Sequence, residues 1–315
     1  LALTNNPGLK AADRARCAAR AEGRSARAFP NPELSVDIEN WIGSGAAKGV
    51  RELELTIAVS QDIPLGSRRA ARKQVARLAA RAADWAYQEQ RLALMAETTR
   101  AFVRVLHAQT EVAQLKELVA LAQRVVDDVQ KRVAAERVQP AALDQAKVER
   151  ALATLKLRRA ERHWKGLKRL LALHWGSQRP RFERVAGHLE KLAPVPRLQD
   201  LVSRLDRHPR LARREMAIAQ QRAALHLERA RTIPDLSLRA GYRYLNGLSA
   251  SAVVLGVSVP LPFFTRNRGA IAATRHRLAQ AKLSKKAARL ALQRRLTEAH
   301  ARLSRAHLVA TSLKT

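Results

Sequence analysis

The chain has 315 residues, with only 13 Gly, 12 Pro and 4% aromatic residues, and a formal net charge of +32. So few turn formers among so much Ala, Leu, Arg and Gln point to a mainly helical chain with long helices. The lone Cys17 excludes an internal disulfide framework, and the lack of any run of about 18 apolar residues excludes a transmembrane helix.

Arginines are spread along the whole chain, which argues against a detachable nucleic-acid-binding arm and reads as the solvated face of coiled coils. The chain opens at Leu1 with neither a charged nor an apolar leader region, so any export signal lies upstream of it. Leu1 to Arg27 is helical and basic in pattern.

Two strands are predicted next, over about 33–42 and 52–63. In the first, Leu34, Val36, Ile38 and Ile42 alternate with Ser35, Asp37 and Glu39; in the second, Leu53, Leu55, Ile57 and Val59 alternate with Glu52, Glu54, Thr56 and Ala58. Each is about 10 residues long, the length of a tilted membrane-spanning strand. The neighbouring helices are too basic to cover such an apolar face, so lipid is its expected cover.

From Ser67 to Val138 there is no Gly or Pro, which predicts one helix of roughly 107 Å. Its later part keeps a heptad through Val112, Leu115, Val119, Ala122, Val126, Val129 and Val133; its earlier part follows Val75, Leu78, Ala82, Trp85, Leu92, Val103 and Leu106. Pro140 turns the chain and opens a return helix to about Trp175, giving a helical hairpin over about 67–175. A Pro-containing stretch from Arg179 to Pro196 follows, then a second return piece from Arg197 to Arg231, broken at Pro209.

A second strand pair is predicted over about 235–244 and 250–262, the latter with Val253, Leu255, Val257 and Val259 on its apolar side. A Pro-free helix then starts at about 265. Between 265 and 315 there are 13 Lys and Arg against the single acid Glu298, a charge read as outward-facing.

Pro32-Glu-Leu-Ser-Val-Asp-Ile is echoed by Pro234-Asp-Leu-Ser-Leu-Arg-Ala, and Ile57-Ala-Val-Ser-Gln-Asp-Ile-Pro-Leu by Leu255-Gly-Val-Ser-Val-Pro-Leu-Pro-Phe. Residues 1–202 therefore read as a first structural repeat and 203–315 as a second, incomplete at its C-terminal end. There is no Gly-rich phosphate loop, CxxC, HExxH or nucleophile elbow, so no cofactor and no catalytic or metal site is assigned, and an enzyme is not expected. His300 and His307 share a helical face but fall short of a metal set.

Together with Ser60-Gln-Asp-Ile-Pro-Leu-Gly-Ser-Arg-Arg, the segment running from Leu255 through Phe264-Thr-Arg-Asn-Arg-Gly, and both copies of the repeat, these residues resemble the TolC family of outer-membrane efflux channels, especially its CzcC-like heavy-metal branch. The resemblance implies a homotrimer whose chains each give four strands to a shared 12-stranded β-barrel in outer-membrane lipid, with helices forming a periplasmic α-helical tunnel. It implies a periplasmic adaptor (membrane fusion protein) and an inner-membrane RND pump as partners. The duct would be passive and export heavy-metal ions or other small toxic solutes. Carried over residue by residue, the adaptor-contact tip is Arg132, Glu136, Gln139, Pro140 and Leu143, and the strand–helix elbows hold Pro64, Gly66, Pro260 and Pro262. Members show Gly where this chain has Glu136, which implies an altered tip turn. The alternative from charge alone, a soluble basic coiled-coil nucleic-acid-binding protein, leaves the four strands and the repeat unexplained.

Overall fold

The structure is a computed structural model describing residues 1–45, 48–189 and 192–313. Helices α1 (Ala2–Asn5) and α2 (Pro7–Ser25) precede strands β1 (Glu33–Glu39) and β2 (Glu54–Ile63). Then come α3 (Arg68–Ala134), α4 (Pro140–Leu173), α5 (Leu198–Ser203), a short 3-10 turn, and α6 (Pro209–Ala230). Strands β3 (Leu236–Leu245) and β4 (Ala250–Ser258) and helix α7 (Arg268–Ser312) complete the chain. Among the described residues no helix is long and apolar enough to cross a membrane.

Contacts divide the chain into two compact units. One comprises Ala15–Ala86 and Val202–Arg295 and contains the sheet; the other comprises Leu1–Arg14, Tyr87–Leu201 and the chain from Leu296 onward.

In the sheet-bearing unit the four strands are antiparallel in the order β1-β2-β3-β4. The register sets Val36 beside Ile57, Ile57 beside Tyr242, and Tyr242 beside Val253, so one apolar row crosses all four strands. The next row on that face is Leu34, Val59, Ala240 and Leu255. The opposite face carries the rows Asp37, Thr56, Arg243, Ala252 and Ser35, Ala58, Gly241, Val254. Because pleat period is two, the large apolar side chains of these rows fall on one face, Val254 excepted.

Strand ends depart from the sequence expectation for local reasons. β1 stops at Glu39, short of 42, because Asn40 takes the left-handed backbone (φ 56) that ends extended pairing. Leu53 lies just before β2: its N–H donates to Val50 O at 3.2 Å in a turn, while its carbonyl accepts from Asn246 N at 2.9 Å. β4 ends at Ser258, leaving Val259 outside, because Pro260 and Pro262 have no N–H to give a ladder.

In the other unit, α3 and α4 form the expected hairpin, and the heptad Val112 to Val133 is its seam: Val112 and Val126 are buried and the positions between are half-buried. The earlier register holds at Leu78 and Leu106, which are buried, but not between them. Leu94 and Val105 are buried where Leu92 and Val103 are exposed. From Leu106 onward the extended stretch before α5 lies on α3, with Gln109 bonded to Val185.

Candidate functional site

Three places carry the sequence-predicted positions: the sheet faces, the two strand–helix elbows, and the tip of the α3–α4 hairpin. On the sheet the apolar face is the open one. Val253, Leu255 and Val257 are 75%, 79% and 71% exposed, and Ile57 and Val59 are also exposed, whereas Leu55 is half-buried. Thr56 and Ala58, on the polar face, are each only 1% exposed. This inverts the usual globular arrangement, in which the apolar face is covered and the polar face is wet.

The polar face is closed over by its own ion pairs. Arg243 donates to Thr56 Oγ1 and Glu54 Oε2, both at 2.9 Å, and lies 3.4 Å from Glu39. Arg239 pairs with Asp37. Between the rows that carry these two arginines lie the small residues Ala58 and Gly241. A Cβ on Gly241 would come 2.6 Å from the Ala58 Cβ, so this row is as narrow as backbone allows. Five carboxylates (Glu33, Asp37, Glu39, Glu54, Asp62) face two arginines here. Sequence patterning assigned Asp37, Glu39 and Glu54 to the polar sides of their strands, but which acid meets which arginine depends on strand register, which the pattern does not contain. On the apolar face, Tyr242 donates its hydroxyl to Ser251 Oγ, so its one polar group is spent within the sheet.

Apolar out and polar in is the pattern of a transmembrane barrel wall. Leaving Leu, Val and Ile side chains uncovered forgoes roughly 1.5–3 kcal/mol for each one fully buried. Both edges of the sheet, β1 and β4, pair on one side only. Open edges are not tolerated in hydrocarbon, where every backbone group needs a partner.

Both elbows hold residues in the left-handed region. Gly66 has φ +67, and a Cβ there would approach the Ile233 Cδ1 to 2.9 Å, so glycine is required twice over. At the other elbow the corresponding turn is made by Asn267 (φ 53), one residue before α7; its amide donates to Glu228 O and Glu228 Oε2, each at 2.8 Å. Asn267 escapes pattern reading because it lies inside the polar run Thr265-Arg-Asn-Arg, which has no periodicity of its own. Pro64 and Gly66 lie between β2 and α3, and Pro260 and Pro262 in the extended run after β4; Arg68, paired with Asp235, shares one cavity with Asp62, Pro260 and Pro262.

At the hairpin tip Arg132, Glu136, Gln139 and Pro140 are exposed and Leu143 is half-buried. Glu136 has φ 54, with Glu136 N donating to Val133 O and Arg137 N to Arg132 O, each at 2.9 Å. That is a Schellman closure in which Glu136 holds the left-handed position that glycine favours. Pro140 opens α4 with Gln139 as its N-cap.

Among the described residues no group of three or more His, Cys, Asp or Glu could hold a metal ion. His300 Nε2 lies 2.9 Å from Pro196 O.

This geometry is shared by known proteins. The chain is 29% identical to the cobalt-zinc-cadmium resistance protein CzcC of Cupriavidus metallidurans, over 100% of its own length and 73% of that protein. It is 28% identical to the nickel and cobalt resistance protein CnrC of the same organism, over 84% of this chain and 62% of that one. A membrane protein of Pseudomonas aeruginosa has the same fold, with a TM-score of 0.76 at 20% identity over 95% of this chain and 74% of its own. A model of the outer membrane efflux protein family matches residues 1–176. With an apolar-out, polar-in sheet feeding long helices, this chain belongs to the outer membrane efflux protein family, as a non-enzymatic channel component of the outer membrane with a periplasmic extension.

Proposed function

We propose that three copies close their four-stranded sheets into one 12-stranded barrel and form the exit duct of a tripartite efflux system. In this reading the chain is two structural repeats, 1–202 and 203–315, each giving one strand pair to the barrel. Leu53, Leu55, Ile57, Val59, Val253, Leu255, Val257 and Val259 face lipid or its boundary, and the polar rows face the lumen. The single observation that carries it is a sheet whose open face is apolar and whose two edges, β1 and β4, lack partners. Closing β1 of one copy on β4 of the next satisfies both edges at once.

The cargo is a heavy-metal cation. The relatives are named for resistance to cobalt, zinc, cadmium and nickel. The polar sheet face adds physical support, because its five carboxylates outnumber its two arginines in a chain of net charge +32. A pore lined by that sign concentrates cations. The tip residues Arg132, Glu136, Gln139, Pro140 and Leu143 meet a periplasmic adaptor, which couples the duct to an inner-membrane RND pump.

Purification in detergent tests this reading. The expected result is a protein mass of three chains by light scattering and ion-conducting steps in a planar bilayer. A monodisperse single copy in plain buffer, its apolar sheet face shielded by its own helices, overturns it.

A further inference from the structure

The geometry points to the β4–α7 elbow as a binding site for anionic phospholipid headgroups of the periplasmic leaflet. The inference rests on the sheet being a bilayer-facing barrel wall. All strand ends that join helices lie at one end of the sheet, since Ile63 pairs with Leu236 and Ser237 with Ser258. That end is the periplasmic one, and its elbows therefore sit at headgroup level.

The two elbows are built differently. At the β2–α3 elbow the cations are used internally: Arg68 pairs with Asp235, and Arg69 donates to Arg27 O at 3.0 Å while stacking 4.0 Å from the centre of the Phe29 ring. The β4–α7 elbow has no such closure. Phe263 and Phe264 are 73% and 100% exposed. Arg266 and Arg268, immediately after them, are exposed and make no side-chain hydrogen bond or ion pair among the described residues. The carboxylates around this elbow are already engaged: Glu228 by Asn267 at 2.8 Å and Arg231 at 2.7 Å, Asp235 by Arg68, and Asp62 by the Ser237 hydroxyl. Two bare aromatic rings followed by two uncompensated cations, continuous with the exposed Val253, Leu255 and Val257, match the chemistry of a leaflet boundary: acyl chain first, phosphate next.

A second copy of this chain is the rival occupant, and charge opposes it. The start of β1, which a neighbouring copy would bring closest, carries the one carboxylate Glu33 against Arg27, Arg69 and Arg72, the last two bonded to the Arg27 and Ala28 carbonyls just before the strand. Like charges desolvated against one another are costly, whereas phosphate gains from both arginines.

The test uses the detergent-solubilised assembly of the full chain, titrated with phosphatidylglycerol and, as the neutral reference, phosphatidylcholine, with bound lipid counted by native mass spectrometry. Phosphatidylglycerol is retained preferentially, and the double substitution Arg266→Gln, Arg268→Gln weakens its retention about thirtyfold while leaving phosphatidylcholine binding unchanged. Phe263→Ser with Phe264→Ser lowers retention of both lipids with the assembly intact. Free glycerol phosphate at the same concentration does not compete. Equal retention of the two lipids, or no change on removing the arginines, overturns the inference. So does dissociation of the assembly by the phenylalanine pair with lipid binding unaltered, which makes the elbow a contact between copies. Failure of the barrel reading is separate: the wild-type chain is then a single copy without detergent, before any lipid is added.

Discussion

Gln109 holds Val185 by both of its backbone groups: the Val185 N–H donates to Gln109 Oε1 at 2.9 Å, and Gln109 Nε2 donates to Val185 O at 3.1 Å. One side-chain amide thus substitutes for a neighbouring strand and seats the extended stretch on α3. Gly187 follows two residues later, where a Cβ would come 2.9 Å from Leu106 Cδ2, so close packing continues along the segment. Gln109→Leu removes both bonds and leaves two backbone groups without partners, at a cost of about 2 kcal/mol. Hydrogen exchange of the Val185 amide is expected to accelerate, and proteolysis between Arg179 and Pro196 to increase, with helix content unchanged.

Glu136→Gly is expected to stabilise the hairpin tip by about 1 kcal/mol, since glycine adopts the left-handed conformation without Cβ strain. Glu136→Val, β-branched at the same φ, is expected to destabilise it by more than that. Exchange rates of the Glu136 and Arg137 amides, whose bonds close the turn, report both changes.

Asn267 combines a left-handed backbone with two hydrogen bonds to Glu228, and the two roles separate by substitution. Asn267→Gly keeps the backbone and loses the bonds, at about 1 kcal/mol; Asn267→Ala loses both, at about 2 kcal/mol. Thermal midpoints in one detergent should rank wild type above Asn267→Gly above Asn267→Ala. The reverse order for the two variants would show that the backbone conformation carries no cost.

Leu255→Arg places a charge on the apolar sheet face, where hydrocarbon penalises it by roughly 2–4 kcal/mol at mid-depth. Ala252→Arg, on the same strand but the opposite face, is expected to be tolerated. Membrane fractionation after carbonate or urea washing should find the first variant depleted from the membrane and the second retained.

Asp37→Asn, Glu39→Gln and Glu54→Gln together leave Arg239 and Arg243 without their carboxylate partners and remove the acid excess of the polar face. Reversal potentials across a salt gradient are expected to lose their cation preference. Unchanged selectivity would place the discriminating charges elsewhere along the duct.

Much of this was legible in the residues because both of its periodicities are clean. Alternation of Leu34, Val36 and Ile38, and of Val253, Leu255 and Val257, identified strands and their apolar side; the Val112 to Val133 heptad identified the hairpin seam. What the sequence left open were features set by pairing or by single backbone angles. The partners of Arg243 follow from register, the end of β1 from one left-handed Asn40, and the second elbow from Asn267. The stripe through Leu92 and Val103 misled because periodicity says which faces of a helix are apolar, but not which of them a neighbour covers.

An apolar ribbon with bare margins also constrains biogenesis. In the proposed barrel the apolar face and the β1 and β4 margins are covered only when copies close and enter the bilayer, so folding of the sheet, oligomer closure and insertion would merge into one concerted event. Until that event such a polypeptide would depend on escorts that shield hydrocarbon-like surface. The quantity that governs its yield is accordingly the race between escort and aggregation, not the stability of any isolated subunit.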